Sequence, residues 1–153
     1  MPTIESPEPP GKTKQRFSGN NVPMTTESLV QRDSTRTSAY RIGVGLLGIG
    51  TLHFLAPKPF DGIIPAELPF SARFYTYASG VAELVIGALL LPRRTRRAAA
   101  AAAVALFIGV YPGNINMVRL WWDKQWYMKA IALARLPMQI PMIATAIKIY
   151  RNS

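Results

Sequence analysis

Four long apolar stretches limit what this chain can fold into. They occupy residues 40–56, 72–91, 98–118 and 128–150. Each is about 17 to 23 residues long, near the length that an α-helix needs to cross the hydrocarbon of a bilayer. A helix of a soluble bundle would show a polar stripe about every 3.6 residues, whereas residues 84–91 and 98–111 carry no charged side chain on any face. We therefore expect an all-α fold, a bundle of four transmembrane helices.

The N-terminal part of the chain has a different composition. Residues 1–39 are rich in Pro, Ser, Thr and Asn and lack a periodic apolar pattern. Such a segment buries too little apolar surface to offset its chain entropy. We expect a disordered polar and basic arm at 1–39, followed by a four-span membrane domain at 40–151. The first apolar stretch follows a long hydrophilic segment, which argues against a cleaved signal peptide.

The basic residues predict the orientation in the membrane. The chain has 18 Lys and Arg residues against 8 Asp and Glu residues, a net charge of +10. The Lys and Arg residues accumulate in the arm, in the loop after the second span and at the C-terminus. These three regions lie on one side of a four-span protein. Because cytoplasmic loops are enriched in Lys and Arg, we expect a multi-pass protein of the cell membrane with both termini cytoplasmic.

The basic loop "PRRTRR" contains Arg93, Arg94, Arg96 and Arg97. We interpret these four residues as a topology anchor that also attracts anionic lipid. A nucleic-acid patch is the less favoured interpretation because no nucleic-acid motif accompanies the loop, and we expect no nucleic-acid partner.

Polar residues within the predicted spans lie in the same half of the membrane. At about 1.5 Å per residue, Glu83 and Gln139 lie roughly 16 Å below the outer surface and Arg135 about 10 Å below it. His53 is near the outer end of the first span, and Asn114 is in the outer third of the third span. An ionisable group inside a span usually faces the bundle interior. We therefore predict an intramembrane polar cluster of His53, Glu83, Asn114, Arg135 and Gln139.

Glu83 needs a partner at its own depth, and Arg135 is the strong base nearest to that depth. We expect these two residues to form an ion pair inside the bundle, with the other cluster members completing the hydrogen bonds. Ser79, Gly80 and Gly87 flank Glu83 at helical spacing, so another helix should approach closely on that side. Three interpretations of the pair remain open: a structural contact between helices, a small-molecule or proton site, or a contact with another membrane protein.

Prolines interrupt both the spans and the first outer loop. Pro112, Pro137 and Pro141 each leave a carbonyl one turn earlier without its helical partner, and we expect nearby side chains, Arg135 among them, to donate to these carbonyls. The loop "PKPFDGIIPAELPFS" combines four prolines with apolar residues. We expect it to lie as a stiff cap over the outer mouth of the bundle.

Several chemistries have no residues to support them. The chain has no cysteine and one histidine, so neither a metal site nor a covalently bound cofactor is expected. No nucleophile with an adjacent base, Gly-rich phosphate loop or pair of carboxylates is present. We assign no catalytic residue and do not expect a self-sufficient enzyme.

Five spaced motifs, "HFLAPKPF", "IIPAELP", "YASGVAELVIGALLLPRRTR", "VYPGNINM" and "RLPMQ", resemble the DoxX-like family of small membrane proteins over residues 40–150. The resemblance implies a four-helix membrane bundle, with His53, Glu83, Asn114, Arg135 and Gln139 at the matching polar positions. That family takes its name from a subunit of an archaeal membrane oxidoreductase that passes electrons from a sulfur compound to quinone.

The function expected on this basis is that of an accessory or quinone-interacting subunit of a membrane-associated redox complex. Its partners would be the lipid bilayer, a membrane or soluble oxidoreductase, and further copies of itself. Two alternatives belong to other classes: a small-solute transporter or channel, and a membrane scaffold without chemistry of its own.

Overall fold

All regular structure in the described part of the chain is helical, which confirms the predicted all-α class. The computed structural model describes residues 26–153, apart from the side chain of Ser28. The helices are α1 (Thr26–Leu55), α2 (Lys58–Asp61), α3 (Ala72–Leu90), α4 (Arg93–Gly109), α5 (Tyr111–Trp121) and α6 (Trp126–Asn152).

The predicted N-terminal arm overlaps the first helix. Residues 1–25 of that arm lie outside the described residues, but residues 26–39 form the first half of α1. This half contains no proline or glycine, and its small residues Thr35 and Ala39, four positions apart, are buried. Extending an existing helix costs far less than starting one, so a polar sequence continues the helix that the apolar stretch begins.

The four long helical segments form a ring. α1 packs against α3, α3 against α4, α4 against α6, and α6 against α1. α5 follows α4 and also packs against α6. Consecutive segments are therefore neighbours, as expected for helices joined by short connections.

Tight apolar packing is concentrated at one end of the bundle, where all four long segments contribute to it. Ala39, Leu90, Ala100, Ala103 and Ile149 are fully buried there. The buried alanines of α4 occupy little space, so its neighbours can approach its backbone closely. The five residues of the predicted polar cluster lie toward the other end, which we call the polar half of the bundle.

The third predicted span, 98–118, is divided between two helices. α4 ends at Gly109 and α5 begins at Tyr111, with Pro112 in the first turn of α5. A proline ring has no N–H to donate to the preceding turn, which accounts for an interruption at this position. This break lies beside the polar half of the bundle.

Arg96, one of the four predicted anchor residues, has a structural role that the sequence interpretation did not include. It is 7% exposed, and its guanidinium donates from Nε to the Leu90 carbonyl at 3.1 Å and from Nη2 to the Leu91 carbonyl at 2.8 Å. These carbonyls belong to the end of α3, where the helix provides no N–H partner. Arg93 and Arg94 are exposed.

Two segments, 93–121 and 126–152, are long and apolar enough to cross a membrane. They correspond to α4 with α5 and to α6. The polar first half of α1, and Arg73 and Glu83 in α3, lower the average hydropathy of the other two long helices.

Candidate functional site

Glycines bring the backbones of α1 and α3 into contact. A Cβ atom at Gly87 would lie 2.8 Å from the carbonyl oxygen of Gly43, and one at Gly80 would lie 2.8 Å from the Cβ of His53. Neither position has room for a side chain. The close helix approach predicted beside Glu83 is thus confirmed for Gly80 and Gly87, and the approaching helix is α1.

This contact places His53 of α1 beside Glu83 of α3. The Nδ1 atom of His53 is 3.3 Å from Oε2 of Glu83 and 2.8 Å from the carbonyl oxygen of Ile49. Both side chains are buried. Because a carbonyl can only accept a hydrogen bond, Nδ1 carries a proton, and Nε2 is the ring atom whose protonation can change.

Other groups fix the same two side chains. The His53 ring stacks on Phe60, with the ring centroids 3.8 Å apart. Oε1 of Glu83 accepts a hydrogen bond from the Ser79 hydroxyl at 3.2 Å, while Oε2 has no hydrogen-bond partner in the described part. The His53 imidazole is the basic group nearest to this carboxylate in the described part, and it carries a positive charge only when both ring nitrogens are protonated.

The predicted ion pair between Glu83 and Arg135 is wrong. Within the described residues, the basic group less than 4.0 Å from the Glu83 carboxylate is His53. Counting residues along a helix gives the depth of a side chain but not the rotation of the helix about its axis. The close α1–α3 contact decides the pairing, and the Arg135 guanidinium instead approaches the Met117 sulfur, at 3.8 Å.

Gln139 supports the break between α4 and α5. Its Nε2 donates to the Phe107 carbonyl at 2.7 Å. This carbonyl lies in the last turn of α4, where backbone carbonyls lack the N–H donor that the next helical turn would supply. The expected donation from Arg135 to the Ile108 carbonyl, which the proline at the start of α5 frees, is not observed in the described part of the chain. Arg135 contacts Met117 instead, and Gln139 donates to the neighbouring carbonyl. The Oε1 atom of Gln139 is buried without a hydrogen-bond partner among the described residues.

The connection between α1 and α3 forms a cap. Oδ1 of Asp61 accepts from the Thr76 hydroxyl at 2.7 Å, and Oδ2 lies 2.8 Å from Nε and 2.7 Å from Nη2 of Arg73. The hydrogen bond from Arg73 is the main reason that the pKa of Asp61 lies below the usual range for a carboxyl group. Asn116 of α5 donates to the Ile63 carbonyl at 3.0 Å. The cap is thus attached to both α3 and α5.

A cavity of about 570 Å³ lies beneath the cap. All five residues of the predicted polar cluster line it: His53, Glu83, Asn114, Arg135 and Gln139. The loop predicted to cap the bundle does lie over this cavity, because its apolar residues, including Phe60, Ile63 and Leu68, line it together with the polar cluster. Most remaining lining residues are apolar, and this is the composition of a pocket for a small, largely apolar molecule with a polar end.

Sequence reasoning missed the residues that hold the cap. Asn116 stands two positions after Asn114, and the motif "GNINM" gave no reason to separate their roles. No role was predicted for Asp61 from the sequence. Its position between two prolines and near an apolar run was the available signal for a fixed loop.

These features define a helical bundle with a capped, polar-lined cavity. The model of one protein family, the domain of unknown function DUF8561, matches residues 42–150, and the chain belongs to this family. The match includes all five polar residues that line the cavity. No curated protein and no solved structure matches the chain.

Proposed function

We propose that the chain is an integral membrane protein of four spans, α1, α3, α4 with α5, and α6, and that it binds a quinone as an accessory subunit of a membrane-associated redox complex. The resemblance to the DoxX-like family supports both the architecture and the redox assignment. The cavity under the cap, lined by five convergent polar side chains, is the observation on which the proposal rests.

The outer surface of the bundle supports the membrane assignment. Large apolar side chains are exposed on all sides, for example Val44 of α1 (60%), Val81 of α3 (52%), Ile108 of α4 (57%) and Ile140 of α6 (71%). A soluble monomer rarely exposes apolar surface so widely. α1 and α3 contribute to this surface although their average hydropathy is lower, which is why we include them as spans.

The cavity residues suit a quinone. Its carbonyl oxygens accept hydrogen bonds, and the guanidinium of Arg135 and the amide of Asn114 are donors in the lining. When bound, a quinone supplies two-electron chemistry that requires protons. Nε2 of His53, the ring atom free to change its protonation, would hold or release such a proton, with Glu83 stabilising the charged imidazole. The chain has no cysteine for an iron–sulfur cluster, so the electrons would come from a partner oxidoreductase.

Purification in mild detergent tests this proposal. Mass spectrometry of the purified protein should find a quinone at about one molecule per chain, with a membrane or soluble oxidoreductase. The control is the quinone content of the same quantity of solubilised membrane without the protein. Recovery of the bundle with bulk lipid alone would contradict the redox assignment.

The proposed topology has a separate test. Because the native chain has no cysteine, single cysteines can report which side of the membrane each end of α6 occupies. With both termini cytoplasmic, a cysteine at Lys124 should react with a membrane-impermeant maleimide in intact cells. One at Lys148 should react only after permeabilisation. Labelling of both from outside would show that α6 does not span the membrane.

A transporter is the second candidate, favoured by the helix break at Val110. Interrupted helices beside a buried ionisable residue are typical of transporter sites, and the break and Glu83 both border this cavity. Proton flux into liposomes that contain the protein, abolished by Glu83→Gln, would favour transport. A Glu83→Gln protein with the same flux as the wild type would exclude this role for the carboxylate.

A further inference from the structure

Arg135 lines the cavity without an acidic partner in the described part. Its guanidinium contacts the Met117 sulfur at 3.8 Å, and a thioether is a weak acceptor. A guanidinium has five N–H groups, so most of its donors meet no protein acceptor among residues 26–153. The acid expected to neutralise it, Glu83, lies beside His53 instead. Arg135 is half-buried, and its unpaired donors in a largely apolar cavity are available to an acceptor from elsewhere.

The charge in the cavity changes with the protonation of His53. The ionisable or charged side chains in its lining are His53, Tyr75, Glu83 and Arg135. With neutral imidazole, the carboxylate and the guanidinium balance each other at a distance. With a proton on Nε2 of His53, the imidazolium and Glu83 form a neutral pair, and the positive charge of Arg135 is unbalanced. The protonated cavity therefore attracts an anion.

We infer that the cavity takes an oxygen anion attached to an apolar body, that Arg135 binds this anion, and that His53 takes up one proton from solvent on Nε2 as it binds. The inference rests on the proposed function in requiring a ligand in the cavity, and it adds the charge of the ligand's polar end. Two sources share this chemistry: a quinone that carries an ionised acidic hydroxyl group, and a long-chain carboxylate.

The proton uptake follows from the position of Glu83. An anion at Arg135 lies in the same low-dielectric cavity as this carboxylate, and like charges repel strongly there. Protonation of His53 removes most of that repulsion because Nδ1 is only 3.3 Å from Glu83 Oε2. Binding of the anion and of the proton thus favour each other, as linked equilibria must.

Isothermal titration calorimetry of the full-length protein in detergent tests the inference with two matched pairs of probes. One pair is a hydroxynaphthoquinone, ionised at neutral pH, and its uncharged methyl ether. The other is decanoate and decanol. The proteins compared are wild type, Arg135→Gln, Arg135→Lys, His53→Asn and, as the control, Arg119→Gln. The control changes an exposed arginine outside the cavity. Titrations in two buffers of different ionisation enthalpy give the number of protons taken up.

The anionic member of at least one pair should bind the wild type about 10- to 100-fold more tightly than its neutral partner, the range expected for a hydrogen bond to a charged group. Arg135→Gln should remove that preference, while Arg135→Lys and Arg119→Gln should retain it. Proton uptake of up to one per bound anion should vanish in His53→Asn. Binding of both quinones with equal affinity, unaffected by Arg135→Gln, together with no preference for decanoate over decanol, would overturn the inference and leave the proposed function intact.

Two further outcomes separate the claims. If decanoate binds with the expected selectivity and neither quinone binds, the anion site is supported and the quinone assignment fails. If no probe binds to a folded wild-type protein, both fail. Should Arg135→Gln not fold, the Lys variant and the paired probes still decide the question.

Discussion

Gly87→Ala should separate α1 from α3. The added Cβ would lie 2.8 Å from the Gly43 carbonyl oxygen and 3.1 Å from the backbone nitrogen of Leu47. Ordinary contact begins at 3.4 Å, so the two backbones must move apart by about 0.6 Å. Both obstacles are backbone atoms, which cannot change rotamer. Overpacking of this kind costs about 1 to 3 kcal/mol.

Gly48→Ala is the matched control because a Cβ at Gly48 meets no atom within 4 Å. Both substitutions replace a helical glycine by alanine, which favours the helix by about 1 kcal/mol. This gain cancels when the two variants are compared. The difference in their free energies of unfolding should therefore equal the steric cost, about 1 to 3 kcal/mol, with Gly87→Ala the less stable.

Reversible unfolding of the detergent-solubilised protein by increasing the mole fraction of dodecyl sulfate would measure both variants. Equal stability of Gly87→Ala and Gly48→Ala would refute the argument that glycine contacts set the distance between α1 and α3. It would also remove the basis for placing His53 beside Glu83.

Three further predictions concern individual contacts. In a double-mutant cycle of His53→Asn and Glu83→Gln, the coupling energy should fall within the range of about 0.5 to 3 kcal/mol for residues in contact; an additive cycle would contradict the pair. Asp61→Asn should loosen the cap, measured as faster proteolysis or hydrogen exchange of residues 56–71. Because the pKa of Asp61 is lowered in the folded protein, the stabilisation that its carboxylate provides is complete above about pH 4 and is lost as the pH falls through the folded pKa. Protection of residues 56–71 that does not change at acid pH would contradict this role of Asp61. Arg96→Gln should destabilise the protein by about 2 kcal/mol because its charged hydrogen bonds are lost, whereas Arg94→Gln, at an exposed position, should change the free energy of unfolding by no more than about 0.5 kcal/mol. Similar losses in both variants would contradict the role of Arg96 at the carbonyls that end α3.

The location of the polar cluster was predictable from the sequence, whereas its pairing was not. Depth along a helix follows directly from residue number, and five polar residues on four segments at similar depth do line one cavity. Which of them touch depends on helix rotation and on how closely two backbones approach. The glycines beside Glu83 indicated a close approach, but not that α1 was the neighbour or that His53 would face the carboxylate.

The boundaries of α1 and α4 show a different limit. The N-terminal half of α1 has the composition of a flexible segment, and the continuing helix overrides that local preference. The early end of α4 was signalled by Pro112, whose effect on the preceding turn is local. The choice of Gln139 as the donor to Phe107 depends on how α6 lies against α4, which a single sequence does not specify.

A cavity-filling variant measures most directly whether the cavity is a ligand site. Gly113 lines the cavity and a Cβ there would meet no atom within 4 Å, while Gly45 has the same freedom outside the cavity. Calorimetric titration with a short-chain quinone should give equal affinities for the wild type and Gly45→Leu, and an affinity at least about tenfold lower for Gly113→Leu, about 1.4 kcal/mol. Equal binding by all three folded proteins would place the quinone elsewhere and contradict the cavity as its site.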